Sequence, residues 1–201
     1  MVRSTLSNKQ MAKRDIVMKT KSNYTIPRLD VANASIFDRI DEQINYSKTS
    51  VNILVPNVCT ISGENVSSFS KELYRRFPIV EASLNVTANK KPGRVSFVDV
   101  KTNPKNKSRI IVGNMFCQTA VQKPKRSLHY GQLVICMYDI KQKLIDIQKN
   151  NPDFTNEIHC PKIGVGISGG NWNFISDLIV DIWGDFRVVA YNHLIERDNN
   201  A

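Results

Sequence analysis

The stretch KIGVGISGGNW, residues 162–172, holds four of the chain's nine glycines within seven positions. It joins an apolar run at 157–166, which predicts a buried strand, to a run at 172–183 with apolar side chains at helical spacing. Glycine permits positive φ and close approach of a ligand to backbone N–H groups. The following helix offers unpaired N–H groups and the positive end of its dipole. A strand, a glycine-rich loop and a helix in this order are typical of a phosphate-binding loop.

Residues 162–172, called the glycine segment below, have a second interpretation. In that interpretation they form a tight strand-to-helix connection whose glycines satisfy turn geometry alone. It lacks the Gly-Lys-Ser/Thr sequence of a P-loop. It also lies late in the chain, without the acid that follows an early G-x-G-x-x-G motif by about 20 residues. Under both interpretations we expect Trp172 to anchor its helix in the core.

The rest of the chain predicts further elements of both kinds. Four stretches with apolar side chains at helical spacing are predicted helices: residues 34–44, 67–78, 129–149 and 172–183. Five short apolar or alternating runs are predicted strands: residues 50–57, 93–100, 108–116, 157–166 and 186–192. Asn33 or Ser35 caps the first helix, and Pro56 ends the first strand. The alternation in the later half predicts a three-layer α/β domain with a mixed, mostly parallel central sheet.

Length and composition fit one globular domain. The chain has 201 residues, of which 41% are hydrophobic and 23% charged. No apolar run approaches the roughly 18 residues of a membrane span, and the first residues lack the apolar core of a secretory signal. Four widely spaced cysteines form no C-x-x-C pair, so we expect reduced thiols, no metal and no cofactor. These features predict a cytoplasmic protein without a membrane partner.

The net charge of +10 is unevenly distributed. Residues 1–30 carry seven Lys/Arg against two acids, and residues 90–126 carry ten against one. Two basic segments suggest an anionic partner, either a nucleotide or nucleic acid, and the alternative is a charged surface that only favours solubility. We predict a basic N-terminal arm at 1–30, one domain at 31–195 and a polar tail at 196–201.

The sequence CPKIGVGISGGNWNFISDLI, residues 160–179, resembles the macro-domain (ADP-ribose-binding) family's pattern of strand, P-x-I-G-x-G-x-x-G-G-x-W and helix. NILVPNVCTISGEN at 52–65 with SSFSKELYRRFP at 67–78 resembles the family's first ligand loop and its helix. KPGRVSFVDV and IIVGNMFCQTAVQKPKRSLHYGQL follow in the family's order. The resemblance covers about residues 50–192. The subgroup it resembles contains ADP-ribose-1''-phosphate phosphatases and ADP-ribosyl-glutamate hydrolases, and has bacteriophage members.

The resemblance implies a macro-like α/β/α domain that binds ADP-ribose or a related nucleotide. In the family the glycine-rich segment wraps the diphosphate and distal ribose. By position, the residues on that side are Gly164, Gly166, Ile167, Ser168, Gly169, Gly170 and Asn171. In the first loop the corresponding ligand-side residues are Gly63, Asn65 and Ser67. Tyr191, at the end of the last strand, is predicted to stack near the ligand or to belong to the core.

The sequence departs from the family where catalysis is concerned. Ser168 stands where some relatives have a catalytic Asp, and Asn171 replaces an acid before the tryptophan. No counterpart of the hydrolases' catalytic lysine is found, and Asp38 and Asp41 are candidates for the acid that contacts adenine. If the protein hydrolyses an ADP-ribosyl or 1''-phosphate linkage, the resemblance leaves a water held by Asn57, Thr60 or Asn171 as the expected nucleophile.

Two functions therefore remain open at this point. The first is a protein that binds, or also hydrolyses, an ADP-ribose derivative, and a phage-encoded member would act in the host cytoplasm. The alternative is a catalytically inactive macro-like module that binds nucleic acid or a protein through the Lys/Arg of 90–126. Salt separates them, because affinity for nucleic acid falls steeply with ionic strength.

Overall fold

The computed structural model describes residues 29–62, 67–86, 90–119 and 126–192. Within these ranges six strands form one sheet, and five helices cover it. The strands are β1 (Asp30–Ala32), β2 (Val51–Thr60), β3 (Val95–Thr102), β4 (Arg109–Gln118), β5 (Thr155–Pro161) and β6 (Arg187–Tyr191). The helices are α1 (Ile36–Tyr46), α2 (Ser68–Arg76), α3 (Pro78–Val86), α4 (Tyr130–Asn150) and α5 (Trp172–Trp183).

The sheet has the strand order β1-β6-β5-β2-β4-β3. All neighbouring strands run parallel except β3, which is antiparallel to β4. The predicted mixed, mostly parallel sheet is therefore confirmed, together with the hairpin of its second and third predicted strands. The pattern did not predict β1, because three residues are too few to show an alternation. Its Ala32 pairs with Tyr191 at the edge of the sheet.

The two faces of the sheet carry separate apolar cores, which gives the three layers. Helices α4 and α5 pack on one face, where Leu54 of β2 joins a cluster that includes Met137 and Ile179. Helices α1, α2 and α3 pack on the other face, where Ile53 and Val55 are buried. Alternate residues of β2 thus enter opposite cores, which explains the unbroken apolar run from Ile53 to Val55.

Side chains cap the N-termini of three of the helices. Ser35 accepts the N–H of Asp38 at 3.3 Å, so Ser35 rather than Asn33 caps α1. Ser67 caps α2 and Asn171 caps α5 in the same way. Each cap satisfies N–H groups that the first turn of a helix leaves unpaired.

Two prolines act differently from the prediction. Pro56 was expected to end β2, but the strand continues to Thr60. Pairing between β2 and β5 ends at Leu54, so Pro56 pairs on one side only, opposite Gly113 of β4, where a missing N–H is tolerated. Pro78 ends the predicted helix and also begins a further helix, α3, a position that suits its fixed φ.

The last predicted strand before the glycine segment is shorter than expected. It ends at Pro161 rather than at residue 166, so the whole stretch from Lys162 to Asn171 connects β5 to α5. Trp172 is half-buried and packs against the core beneath α4 and α5, as predicted. The ten-residue connection is therefore held at one end by the sheet and at the other by an anchored helix.

Candidate ligand-binding cleft

A cavity of about 320 Å³ lies at the carboxyl ends of β2 and β5. It is bounded by residues 56–58 of β2, residues 67–70 at the start of α2, Gln118 at the end of β4, residues 161–168 after β5, and Asn192. Ligands of open α/β sheets bind beyond the carboxyl ends of the strands. The cavity, called the cleft below, therefore lies where a ligand site is expected.

The glycine segment forms one wall of the cleft through two tight turns. Gly164 and Gly169 have φ values of 66° and 71°, in the left-handed region that favours glycine. The N–H of Gly170 donates to the carbonyl of Gly164 at 2.8 Å, and the N–H of Gly169 donates to that of Gly166 at 3.1 Å. Turn geometry thus accounts for part of the clustering of glycine.

Packing against residues 126–128 accounts for more of it. A Cβ on Gly164 would lie 2.6 Å from Cδ2 of Leu128. A Cβ on Gly170 would lie 2.8 Å from the carbonyl oxygen of Gly164 and 2.9 Å from Leu128. Gly169 lies against the backbone of Arg126, with 3.4 Å between its would-be Cβ and the Cα of Arg126. Packing therefore excludes a side chain at Gly164 and Gly170, whereas Gly169 is required by its positive φ.

Gly166 is different, because its surroundings inside the protein are open. A Cβ there would meet no atom within 4 Å, and its φ is not in the left-handed region. Gly166 also lines the cleft. The two interpretations of the segment therefore apply to different residues: turn geometry and packing to three glycines, and access to the cleft to Gly166.

The backbone beside Gly166 presents hydrogen-bond donors. Within the described part of the chain, no acceptor is found for the N–H groups of residues 166–168. All three residues line the cleft, and Gly166 and Ile167 are exposed. Consecutive unpaired N–H groups in a turn form a concave site for anions.

A hydrogen-bonded network fixes the other side of the glycine segment. Ser168 donates its hydroxyl to Gln118 at 3.0 Å, and Gln118 donates to the hydroxyl of Ser127 at 3.1 Å. The N–H of Leu128 donates to the carbonyl of Ser168 at 3.2 Å. The side chain of Ser168, predicted to contact the ligand, is therefore part of the wall's internal bonding.

Asn57 lines the cleft, but its amide is already bonded on both atoms. Its Nδ2 donates to Oδ1 of Asn114 at 2.9 Å and lies 3.3 Å from the hydroxyl of Tyr74. Its Oδ1 accepts the hydroxyl of Ser70 at 2.7 Å. Asn57 thus ties β2 to β4 and to the first turn of α2, a positioning arrangement rather than one that leaves an amide free to hold water.

The other two residues predicted to hold a nucleophilic water do not line the cleft. Thr60 is buried and accepts the hydroxyl of Ser62 at 3.2 Å. Asn171 is exposed, and its Oδ1 accepts the N–H groups of Asn173 and Phe174 at 2.9 and 3.3 Å. The structure therefore does not bring Asn57, Thr60 and Asn171 together around one point.

The predicted ligand-binding residues other than Tyr191 divide into three groups. Those that line the cleft are Ser67, Gly164, Gly166, Ile167 and Ser168. Those of the glycine segment that lie outside its lining are Gly169, Gly170 and Asn171. Gly63 and Asn65 lie outside the described residues.

Tyr191 belongs to a second cavity, of about 480 Å³, between α1 and strands β1 and β6. It is buried, and its hydroxyl lies 2.8 Å from Nδ1 of His159, whose Nε2 lies 2.9 Å from Glu157. Burial alone would raise the pKa of Glu157, but hydrogen bonding by His159 and the charge of Arg187 outweigh it and lower that pKa. Gln43 also donates to this carboxylate at 2.8 Å. The polar groups of this cluster therefore bond to one another. The side chain of Tyr191 belongs to the cluster and not to the cleft.

Most of the other cleft residues were not predicted as ligand-binding. Among them, Phe69 and Gln118 line it from α2 and β4, Lys162 follows β5, and Asn192 follows β6. Asn192 also donates its amide to the side chain of Asn33. The sequence contains a signal for Lys162 alone, because it directly follows a strand and begins the glycine segment.

Asp38 and Asp41, the candidates for the acid that contacts adenine, lie on α1 and do not line the cleft. Asp41 pairs with Arg76 at 3.0 Å and with Lys101 at 2.7 Å. Among the described residues, no group of three or more potential metal ligands occurs. No helix in the same ranges is long and apolar enough to cross a membrane.

The fold matches that of macrodomain proteins of known structure. A macrodomain protein from Streptomyces coelicolor aligns with a TM-score of 0.59 at 19% identity, over 83% of this chain and 100% of its own. The macrodomain of Thermus aquaticus DarG aligns with a TM-score of 0.59 at 14% identity, over 82% and 98%. The macrodomain of Mycobacterium tuberculosis DarG gives 0.54 at 15%, over 82% and 98%.

Neither protein-family models nor curated proteins match the sequence. The structural similarity confirms the macro-like α/β/α architecture, and at such low identity it establishes the fold alone. What the cleft binds must follow from its own chemistry.

Proposed function

We propose that this protein binds ADP-ribose or an ADP-ribose derivative in the cleft. The observation that carries the proposal is the row of unpaired N–H groups at residues 166–168, which all line a cavity at the carboxyl ends of parallel strands. The first turn of α2 also borders the cavity, and the positive end of its helix dipole favours an anion there. The glycine segment and the start of α2 therefore both suit an anionic group such as a diphosphate.

The charge of the cleft supports the same ligand class. Among its described lining residues there is one cation, Lys162, and no carboxylate. Apolar side chains such as Val58, Phe69 and Ile163 complete the lining and suit a sugar or base. The cleft would suit phosphate-bearing ligands in general. Among these, the macro-domain resemblance of the sequence and of the fold favours ADP-ribose.

Binding is better supported than hydrolysis. The described lining contains no carboxylate, imidazole or thiol that would act as a general acid or base. Asn57, the predicted water-holding residue that lines the cleft, uses its amide within the protein. If turnover occurs, the subgroup resemblance makes ADP-ribose-1''-phosphate and ADP-ribosyl esters the substrates to test, by release of phosphate or of free ADP-ribose.

Gly166 provides a specific test of binding. In Gly166→Glu a carboxylate enters the cleft at a position that is otherwise open, so we expect calorimetric titration to show no binding of ADP-ribose while the melting temperature stays near that of the wild type. Gly131→Glu is the matched control, because Gly131 is also exposed with no atom within 4 Å of a would-be Cβ, but lies on α4. The control should bind normally. A wild-type protein without heat or thermal shift at millimolar ADP-ribose would refute the proposal.

Nucleic acid is the alternative partner, through the cations of 90–126. Several of them are engaged: Lys101 pairs with Asp41 at 2.7 Å, and Arg109 lies 3.9 Å from Asp99 and donates to Asn52. Titration of a single-stranded oligonucleotide at low and at physiological salt tests this alternative. Affinity that collapses with salt and survives Gly166→Glu would favour it over the cleft.

A further inference from the structure

Lys162 is the one residue with a charged side chain among the described residues that line the cleft. It follows β5 directly, and its N–H donates to the carbonyl of Tyr191 at 3.2 Å. The backbone from which the lysine projects is therefore attached to the sheet. This fixes the origin of the side chain at the edge of the cleft.

The ammonium group of Lys162 is held without being neutralised. Its Nζ lies 5.5 Å from the ring centroid of Trp172, within the range of a cation–π interaction. No carboxylate of the described residues forms an ion pair with it. Lys101 and Lys141 differ in this respect, because acids lie 2.7 and 2.6 Å from them.

An unpaired cation beside backbone donors discriminates between ligands by charge. Neutral N–H groups hydrogen-bond to hydroxyls as well as to phosphates, whereas an ammonium group gains most from a full negative charge. The flexible four-carbon stem of lysine lets Nζ move between the face of Trp172 and a ligand in the cleft. The uncompensated charge is thus available to an anion.

We infer that Lys162 is a ligand-contacting residue that makes the cleft select phosphate-bearing nucleotides over uncharged nucleosides. This inference rests on the proposed function and adds to it the residue that sets the charge preference. The glycine segment shapes the wall, and Lys162 supplies the net charge that the wall itself lacks.

Calorimetric titration of the full chain with ADP-ribose and with adenosine tests the inference. In Lys162→Met we expect the affinity for ADP-ribose to fall about tenfold or more, with the affinity for adenosine unchanged. Lys162→Arg keeps the charge and should retain the preference. Lys105→Met, which removes an exposed lysine from the turn between β3 and β4, controls for the change in net charge.

The outcomes separate this inference from the proposed function. If the wild type binds neither ligand, the proposed function fails. If the wild type binds ADP-ribose and Lys162→Met binds it equally well, the role of Lys162 is refuted while the cleft stands. An equal loss of both ligands in Lys162→Met, with a lower melting temperature, would also refute the inference, because Lys162 would then act only by supporting Trp172.

Discussion

At the scale of single residues, clustered glycines serve separate purposes. Gly164 needs both a positive φ, 66°, and the absence of a Cβ that would lie 2.6 Å from Leu128. Gly166 has neither requirement, since its φ is ordinary and the space around it is open. A count of glycines therefore does not measure how much of a loop faces a ligand.

This difference predicts effects of different size for the same substitution at the two positions. Gly164→Ala should lower the free energy of unfolding by about 1–3 kcal/mol, because alanine is strained at positive φ and collides with Leu128. Gly166→Ala should change it by less than about 0.5 kcal/mol. Urea unfolding measures both. Equal losses in the two variants would show that the packing around Gly164 is misassigned.

At the scale of elements, buried amides hold the walls of the cleft in place. Asn57 bonds to Asn114 of β4 and Ser70 of α2, so the position of the first turn of α2 is fixed by its bond to the sheet. A second buried asparagine of the same strand, Asn52, bonds instead to Asn156 of β5 at 2.8 Å. The two residues are chemically alike and differ in their distance from the cleft.

A paired comparison follows from this arrangement. Asn57→Ala and Asn52→Ala should each lower the free energy of unfolding by about 1–3 kcal/mol, because each leaves buried polar partners unsatisfied. Asn57→Ala alone should also weaken ADP-ribose binding, because it releases the start of α2. Calorimetry together with urea unfolding checks the pair. Equal binding by the two variants would contradict a positioning role for Asn57.

Much of the secondary structure was predictable because its signals are local. The apolar stripe of α4, with buried Leu133, Met137 and Ile140, repeats at helical spacing over six turns' worth of sequence and needs no knowledge of the fold. The three-residue β1 and the continuation of β2 through Pro56 were not predictable, since both depend on which strand lies alongside. Local patterns do not contain that information.

The cleft was predictable only in part for the same reason. The glycine segment could be recognised from its sequence, and five of the predicted ligand-binding residues do line the cavity. The bonding of Asn57 to Asn114, and of Ser168 to Gln118, joins residues about 50 or more positions apart. Because of such contacts, side chains predicted to bind a ligand or hold water are instead hydrogen-bonded within the protein. Tyr191 is a further example.

At the scale of the whole molecule, a buried ionic cluster connects β5, β6 and α1 on the side of the sheet that carries α1. Glu157 is buried, with His159, Arg187 and Gln43 as partners. These partners lower its pKa in the folded state despite the opposing effect of burial. A carboxylate with a lowered pKa stabilises the fold when it is ionised.

The sign of the resulting pH dependence is fixed. The contribution of Glu157 is fully present above the pKa of an unfolded glutamate, about 4.3, and is lost as the pH falls through the lower folded value. Glu157→Gln should therefore lessen the loss of stability below about pH 4.3 while lowering stability at neutral pH. Urea midpoints across this range provide the measurement. If the urea midpoints of the two proteins fell equally below about pH 4.3, Glu157 would be excluded as the source of the acid-dependent loss of stability.

The central claim is that the unpaired N–H groups of residues 166–168 hold the anionic part of ADP-ribose. Amide chemical shifts of the full chain, followed by NMR during an ADP-ribose titration, test it most directly. We predict saturable shifts that are largest at Gly166, Ile167 and Ser168 and in the first turn of α2, with little change around His159. Shifts concentrated in the cavity beside His159 and Tyr191, or absent at millimolar ligand, would contradict the account.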